Sequence, residues 1–182
     1  MRGILVSNPG GPEVLKLSDL PDPELTDGRV LIEVKTAGIN YSDILARLAT
    51  GTDTSLPFIP GKEVAGVVLD VGKEVKEICA GDRVAVASDE ASGGYAEYIT
   101  APWRHVVKLP AYTDFDTGAT IMLQGLTAHY LSDTTYPIEP GHKVLIHAGA
   151  GGMGRILTQI AKKRGAFVFT TVSTHAKAQA SL

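Results

Sequence analysis

The chain has 182 residues, 44% apolar and 20% charged, with a net charge of −3. This is an ordinary globular profile, with room for one large domain or two small ones and enough length to bury a core unaided. It excludes a basic footprint for nucleic acid, and the single cysteine, Cys79, excludes an internal disulfide framework and a multi-cysteine zinc site.

Cys79 itself reads as a small, semi-buried residue. No run approaches the ~18 apolar residues of a membrane span, and no long apolar stretch follows Met1 as a signal peptide would require. No membrane partner is expected, and a cytoplasmic location is the default.

Residues 1–110 read as short strands broken by Gly and Pro. Val30, Ile32 and Val34 alternate with Leu31, Glu33 and Lys35, which is strand period. Gly10-Gly11-Pro12 marks a turn between two strand-like runs. Further strands are expected at Val64–Val71, Arg83–Ala87, Tyr95–Ala101 and His105–Leu109, and one short helix at Ser42–Leu48. Many short strands with frequent turns predict an all-β, barrel-like unit.

The texture changes near Thr113. Asp114–Leu123 and Leu126–Asp133 read as two helices, closed by Pro137 and Pro140-Gly141. Then come an apolar strand at Lys143–His147, a glycine loop, a helix from about Gly152 to Lys163, and a second strand at Phe167–Val172. That order is one βαβ unit. The cations Lys162, Lys163 and Arg164 suit a helix C-terminus, and His175–Leu182 reads as the opening of another helix.

The loop contains Gly149-x-Gly151-x-x-Gly154, set between a strand and a helix. In that context the first glycine permits the tight turn. The second admits a pyrophosphate to the backbone, and the third lets helix and strand pack closely. The helix start then offers N–H groups and a favourable dipole to phosphates. A dinucleotide site for NAD would carry Asp or Glu about 20 residues on, to hold the ribose hydroxyls. Here no acid follows Glu139, and Ser173 and Lys177 stand at the end of the second strand. A 2′-phosphate suits them, so NADPH is the expected cofactor. A solvated helix lysine is the ordinary alternative for Lys177.

The order of motifs resembles the medium-chain dehydrogenase/reductase superfamily. It runs GGPEVL near the start, AGINYSD at 37–43, PGKEVAGVV at 60–68, GDRV at 81–84, GGYAEY at 93–98, LQGLTA at 123–128 and HAGAGGMG at 147–154. The resemblance implies an α/β protein with a β-rich first part. A GroES-like β-barrel catalytic domain over residues 1–120 would be followed by a partial, truncated NADP-binding Rossmann βαβ unit over 121–182. Zinc members carry Cys where this chain has Asn40 and His where it has Lys62, so the likeness is to the zinc-free quinone oxidoreductase branch, with no metal expected.

That branch implies hydride transfer from NADPH to a quinone or other enone-type acceptor. The resemblance places Asn40 and Tyr41 at the nicotinamide and substrate cleft, and Thr127 near the nicotinamide. Gly151, Gly152 and Met153 would line the pyrophosphate, with Gly149 and Gly154 as the turn and packing glycines of the same cofactor-binding loop, and Ser173 and Lys177 would meet the 2′-phosphate. Ordinary alternatives stand beside these roles: a turn or cap for Asn40, a core position for Tyr41, a helix N-terminal hydroxyl for Thr127. Asp43 and Glu63 read as structural.

Many members carry a tyrosine soon after the Asn-x-x-Asp motif, whereas Ala46–Pro57 here holds no aromatic residue. This weakens the alternative of an enoyl-thioester reductase and leaves the proton donor unassigned. A non-catalytic fragment is the third alternative. Two parallel strands make only the start of a doubly wound sheet, so the isolated chain is expected to be inactive, with Phe167–Val172 poorly covered. A homodimer is expected of a full-length form.

Overall fold

The computed structural model describes residues 1–50, 55–87 and 93–181. The chain divides into two compact units, Met1–Met122 and Leu123–Leu182. The dividing line falls inside one helix, α2 (Phe115–His129).

The first unit is built on a five-stranded antiparallel sheet. Its strands are β3 (Arg29–Ala37), β4 (Glu63–Val71), β5 (Arg83–Ala87), β6 (Tyr98–Pro102) and β7 (Val106–Lys108), in the order β6-β3-β4-β5-β7. The expected alternation in β3 is realised: Val30 and Ile32 are fully buried, while Lys35 is exposed. They meet Val64, Val68, Val84, Val86, Ile99 and Ala101 in the main core. The β3–β4 ladder shifts register twice, between Leu31 and Ile32 and between Val34 and Thr36. Such irregularities bend a strand and increase its twist, and the sheet forms a curled half-barrel.

A hairpin-like pair, β1 (Arg2–Leu5) and β2 (Lys16–Asp19), lies beside it. Strand β6 begins three residues later than the expected Tyr95–Ala101 because that run serves two partners. Its start bonds to β1, through Ile4 N–H to Tyr95 O and Glu97 N–H to Arg2 O, and only its second half pairs with β3. His105 falls in a 3-10 turn before β7.

Cys79 is exposed, which corrects the semi-buried expectation. It stands in the turn before β5, where its backbone N–H donates to Asp82 Oδ2 at 2.8 Å, and the neighbouring Ile78 supplies the buried side chain. Arg83 ties the sheet to the start of α2. Its guanidinium donates to the carbonyls of Pro110, Ala111 and Thr113 and lies over the Phe115 ring at 4.6 Å. The helix α1 (Tyr41–Arg47) follows β3.

Where two helices are expected over Asp114–Asp133, the structure has α2 running on into a π-helical segment, Tyr130–Thr135. Gly125 does not break it: a helix-interior glycine costs only ~1 kcal/mol, which packing overrides. In the second unit β8 (Lys143–Ile146) and β9 (Phe167–Thr170) are parallel neighbours, with α3 (Gly152–Lys163) packed on them. A short α4 (His175–Ala180) follows. Ile146 is buried on the α3 side, whereas Leu145, Phe167 and Phe169 are exposed on the other. Arg164, the C-cap of α3, donates to Ser132 O and to Asp133, pinning the π-helical segment.

One close contact in the sheet makes a testable point. A Cβ on Gly66 would run into the carbonyl oxygen of Glu33 on the neighbouring strand. Gly66→Ala is expected to destabilise the chain by about 1–3 kcal/mol, read from the urea midpoint. Val107→Ala, at a half-exposed strand position, should stay within about 0.5 kcal/mol of the parent.

Candidate functional site

In the first unit the candidate site is a buried polar cluster at the end of β3. Gly38 N–H donates to Glu63 O at 2.8 Å, bringing the chain so close that a Cβ at Gly38 would sit 2.5 Å from Glu63 Oε2. Asn40 then caps α1 from an extended backbone conformation. Its backbone N–H donates to Asp43 Oδ2 at 2.8 Å, the carboxylate half of a capping box. Its side-chain Nδ2 donates to Glu63 Oε2, also at 2.8 Å.

Asp43 accepts a second bond on the same oxygen, from the Tyr95 hydroxyl at 2.9 Å. Asn40, Asp43 and Glu63 are all buried, Glu63 to 1% exposure. Burial, then the Asp43 charge and its hydrogen bond, push the Tyr95 phenol well above the usual tyrosine range. Tyr95 fits because Gly61, at φ +92°, lies beneath its ring: a Cβ there would be 2.5 Å from Tyr95 Cδ1.

Asn40 therefore occupies a cap position and also commits its side chain to a buried carboxylate. Tyr41, next to it, is 73% exposed, which removes the core alternative and leaves its ring open to a ligand. Ile39 on the other side is 76% exposed. Glu63 and Tyr95 were not among the expected site residues. The one signal for Tyr95 was Gly61, whose missing Cβ clears space for its ring.

In the second unit the glycine loop joins β8 to α3. Each spacing has a steric reason. A Cβ at Gly149 would lie 2.5 Å from Thr170 Cβ on β9, and one at Gly154 would strike Ala148 O and lie 2.7 Å from Gly149 Cα. At Gly152 it would run into the Gln124 side chain. Gly151 differs: a Cβ there would meet only Ala148 O, at 3.2 Å, so its other side is open.

That open side faces a cavity of about 410 Å³ lined by Ala148, Ala150, Gly151, Thr171, Ser173 and Lys177. Lys177 Nζ donates to Ser173 Oγ at 3.1 Å, so the two expected phosphate-binding residues meet. Both are exposed. Met153 is half-buried in the first turn of α3. Thr127 is not at a helix N-terminus; it lies within α2 and donates its hydroxyl to Leu123 O at 2.6 Å. His147, at the end of β8, is 2.9 Å from the Thr171 hydroxyl and links the two strand ends.

Among the described residues no three His, Cys, Asp or Glu side chains gather as a metal site would require, and no helix is long and apolar enough to cross a membrane.

Residues 26–111 match the alcohol dehydrogenase GroES-like domain. Quinone oxidoreductase 1 of Escherichia coli (strain K12) is 40% identical over 173 residues, covering 95% of this chain and 53% of the relative. The human quinone oxidoreductase is 40% identical over 176 residues, covering 96% and 53%. The crystal structure of Escherichia coli quinone oxidoreductase complexed with NADPH aligns with a TM-score of 0.94 at 39% identity, over 100% of this chain and 55% of that one. The chain thus spans about half the length of the curated relatives it matches.

The Tyr95–Asp43 bond has a pH signature. A phenol whose folded pKa is raised binds its proton more tightly in the native than in the unfolded state, so its contribution is complete below the unfolded value of about 10 and is lost as pH rises above it. The stability advantage of the parent over Tyr95→Phe should be full near pH 8 and shrink above about pH 10. Urea midpoints at a series of pH values would read it; an advantage that grows with pH contradicts the assignment.

Proposed function

From a chain that belongs to the quinone oxidoreductase branch of the medium-chain dehydrogenase/reductase superfamily, and matches the N-terminal portion of its members, we propose an NADPH-dependent reductase activity that delivers hydride to a quinone or other enone-type acceptor. Residues 1–120 serve as the catalytic part and 121–182 as the dinucleotide-binding part. The observation that carries the reading is the cavity beside Gly151 with Ser173 and Lys177 at its wall and no acid after Glu139.

The residues present fit the cofactor. The open side of Gly151 leaves room for a pyrophosphate against the backbone, and the first N–H groups of α3, which begins at the next residue, have no partner inside the helix. Gly149, Gly152 and Gly154 keep the loop compressed onto β9 and α2, so the phosphate-binding backbone is held in place. Met153 adds an apolar wall. Ser173 supplies a hydroxyl and Lys177 a positive charge for a 2′-phosphate, where an Asp or Glu would repel it.

When bound, NADPH supplies the hydride. The chain's own groups bind and orient. Thr127, its proton given to Leu123 O, keeps oxygen lone pairs with which to accept a hydrogen bond from a carboxamide. Asn40 offers a fixed carboxamide, and the exposed Tyr41 ring offers a flat apolar face to a planar acceptor. Asn40 turns its amide nitrogen, a poor ligand, toward Glu63, and Lys62 is a cation, so the chemistry proceeds without a metal.

Three measurements test this reading. NADPH should quench or shift protein fluorescence saturably and more tightly than NADH. Lys177→Ala should weaken NADPH about fivefold, less than a buried charge-assisted pair would give because Lys177 is exposed, and leave NADH nearly unchanged. An equal loss for both cofactors would show that the lysine has another role. In a full-length form, consumption of NADPH with 1,4-benzoquinone should proceed unchanged in the presence of a chelator; inhibition reversed by added zinc would refute metal independence.

A further inference from the structure

We propose that Glu63 and Tyr95 are positioning residues for Asn40: Glu63 locks the carboxamide with its nitrogen inward, and Tyr95, acting through Asp43, holds the backbone that carries it. The proposal rests on the reading of Asn40 as a group that meets the reacting end of substrate or cofactor.

A carboxamide has two orientations of nearly the same shape, and only its partners choose between them. Glu63 Oε2 accepts from Asn40 Nδ2 at 2.8 Å, and this contact selects the nitrogen. The reverse orientation would set two oxygens face to face in a place where Glu63 is 1% exposed and water cannot intervene. The Asn40 oxygen is thereby turned away from the carboxylate. Gly38 makes this possible, since any side chain there would push into Glu63 Oε2 and the carbonyl of Ala119.

The second hold acts on the main chain. Asp43 Oδ2 receives both the Asn40 N–H and the Tyr95 hydroxyl, so one oxygen links the cap of α1 to a ring seated on Gly61. A helix of seven residues is too short to be stable by itself. What fixes the direction of the Asn40 Cα–Cβ bond is this pair of bonds. The Tyr95 hydroxyl is bonded to Asp43, and its effect on Asn40 passes through that carboxylate.

The sequence offers a direct probe, because Asn8 and Asn40 are its only asparagines. Labelling with 15N-asparagine gives two side-chain NH2 signals, one from the exposed Asn8 and one from the buried Asn40. The Asn40 pair should exchange with solvent at least about tenfold more slowly than the Asn8 pair, with one proton shifted downfield by the carboxylate. Glu63→Gln keeps an acceptor, so exchange should stay slow while the bound proton moves upfield. Tyr95→Phe should speed exchange of the Asn40 backbone N–H with the β4 and β5 amides still protected.

Wild-type Asn40 exchanging as fast as Asn8, or a bound proton unmoved by Glu63→Gln, overturns the lock. An unchanged Asn40 backbone N–H in Tyr95→Phe overturns the second hold. In a full-length form with 1,4-benzoquinone as acceptor, both variants should lower kcat several-fold while KM for NADPH stays within about twofold, a split that a loss of cofactor binding would not give. An unchanged kcat in both overturns the positioning role even where the lock is seen. A locked Asn40 in a full-length form that consumes no NADPH refutes the functional reading and leaves the lock standing, so the two failures are separable.

Discussion

A carboxylate taken out of water has to be met by hydrogen-bond donors, and Glu63 sets that condition for the first unit. It opens β4 at the point where β3 ends, buried to 1% exposure. An unpaired charge there would cost several kcal/mol, at least ~3 on the scale of broken buried pairs. The chain answers with the Asn40 amide at 2.8 Å and with Gly38 pressed against the carboxylate. The turn between β3 and α1 brings the Asn40 amide to that group, and a second buried carboxylate, Asp43, gathers the cap N–H of α1 and the Tyr95 hydroxyl beside it. The same sheet that supplies the apolar core also delivers, at its end, the polar cluster of the candidate site.

The second unit obeys a different constraint, close approach of backbones. Gly154 lets the start of α3 meet the backbone of Ala148 and Gly149, while Gly149 makes room for the Thr170 side chain of β9 and Gly152 for the Gln124 side chain of α2. Only Gly151 is spared that crowding, and its open side is where the cavity lies. Ala148 accepts a left-handed conformation, φ +54°, to make the turn, and its carbonyl then receives the Gly151 N–H at 2.8 Å. A non-glycine residue held at positive φ is costly, of order 1–3 kcal/mol, and such strain gathers where a backbone has to present itself to something.

How much of this was legible in the sequence depends on the range of the interaction. Local patterns were read well. The alternation of Val30 and Ile32 gave β3, the run at 143–146 gave a strand, and Gly152–Lys163 formed a helix with the expected bounds. The break expected in α2 was not there, because a helical glycine is a weak penalty beside the packing of Ala119 and Met122. Cys79 was misplaced because small size alone does not tell a turn from a core. The Ser173–Lys177 pair was legible because four residues on a helix start bring side chains together. The Asn40–Glu63 and Asp43–Tyr95 bonds were not, since they join residues 23 and 52 apart, and no local period encodes them.

Local sequence pattern and distant hydrogen bonds meet in α1. An ordinary surface helix buries apolar residues and shows polar ones. Here α1 buries Asp43 and Ala46 and leaves Tyr41 and Ile44 at 73% and 36% exposure, with Leu48 just past its end at 41%. The helix is turned inside out because its inner face is bound by hydrogen bonds, to Asn40 N–H and Tyr95, and not by apolar burial. Hydrogen bonds are directional, whereas apolar contact allows a helix to rotate or slide. A seven-residue helix held in this way keeps one orientation, and its outward side is free to be apolar. The polar inner face is therefore what permits an exposed aromatic ring next to a fixed carboxamide, and those are the two features on which the candidate site of this unit is built.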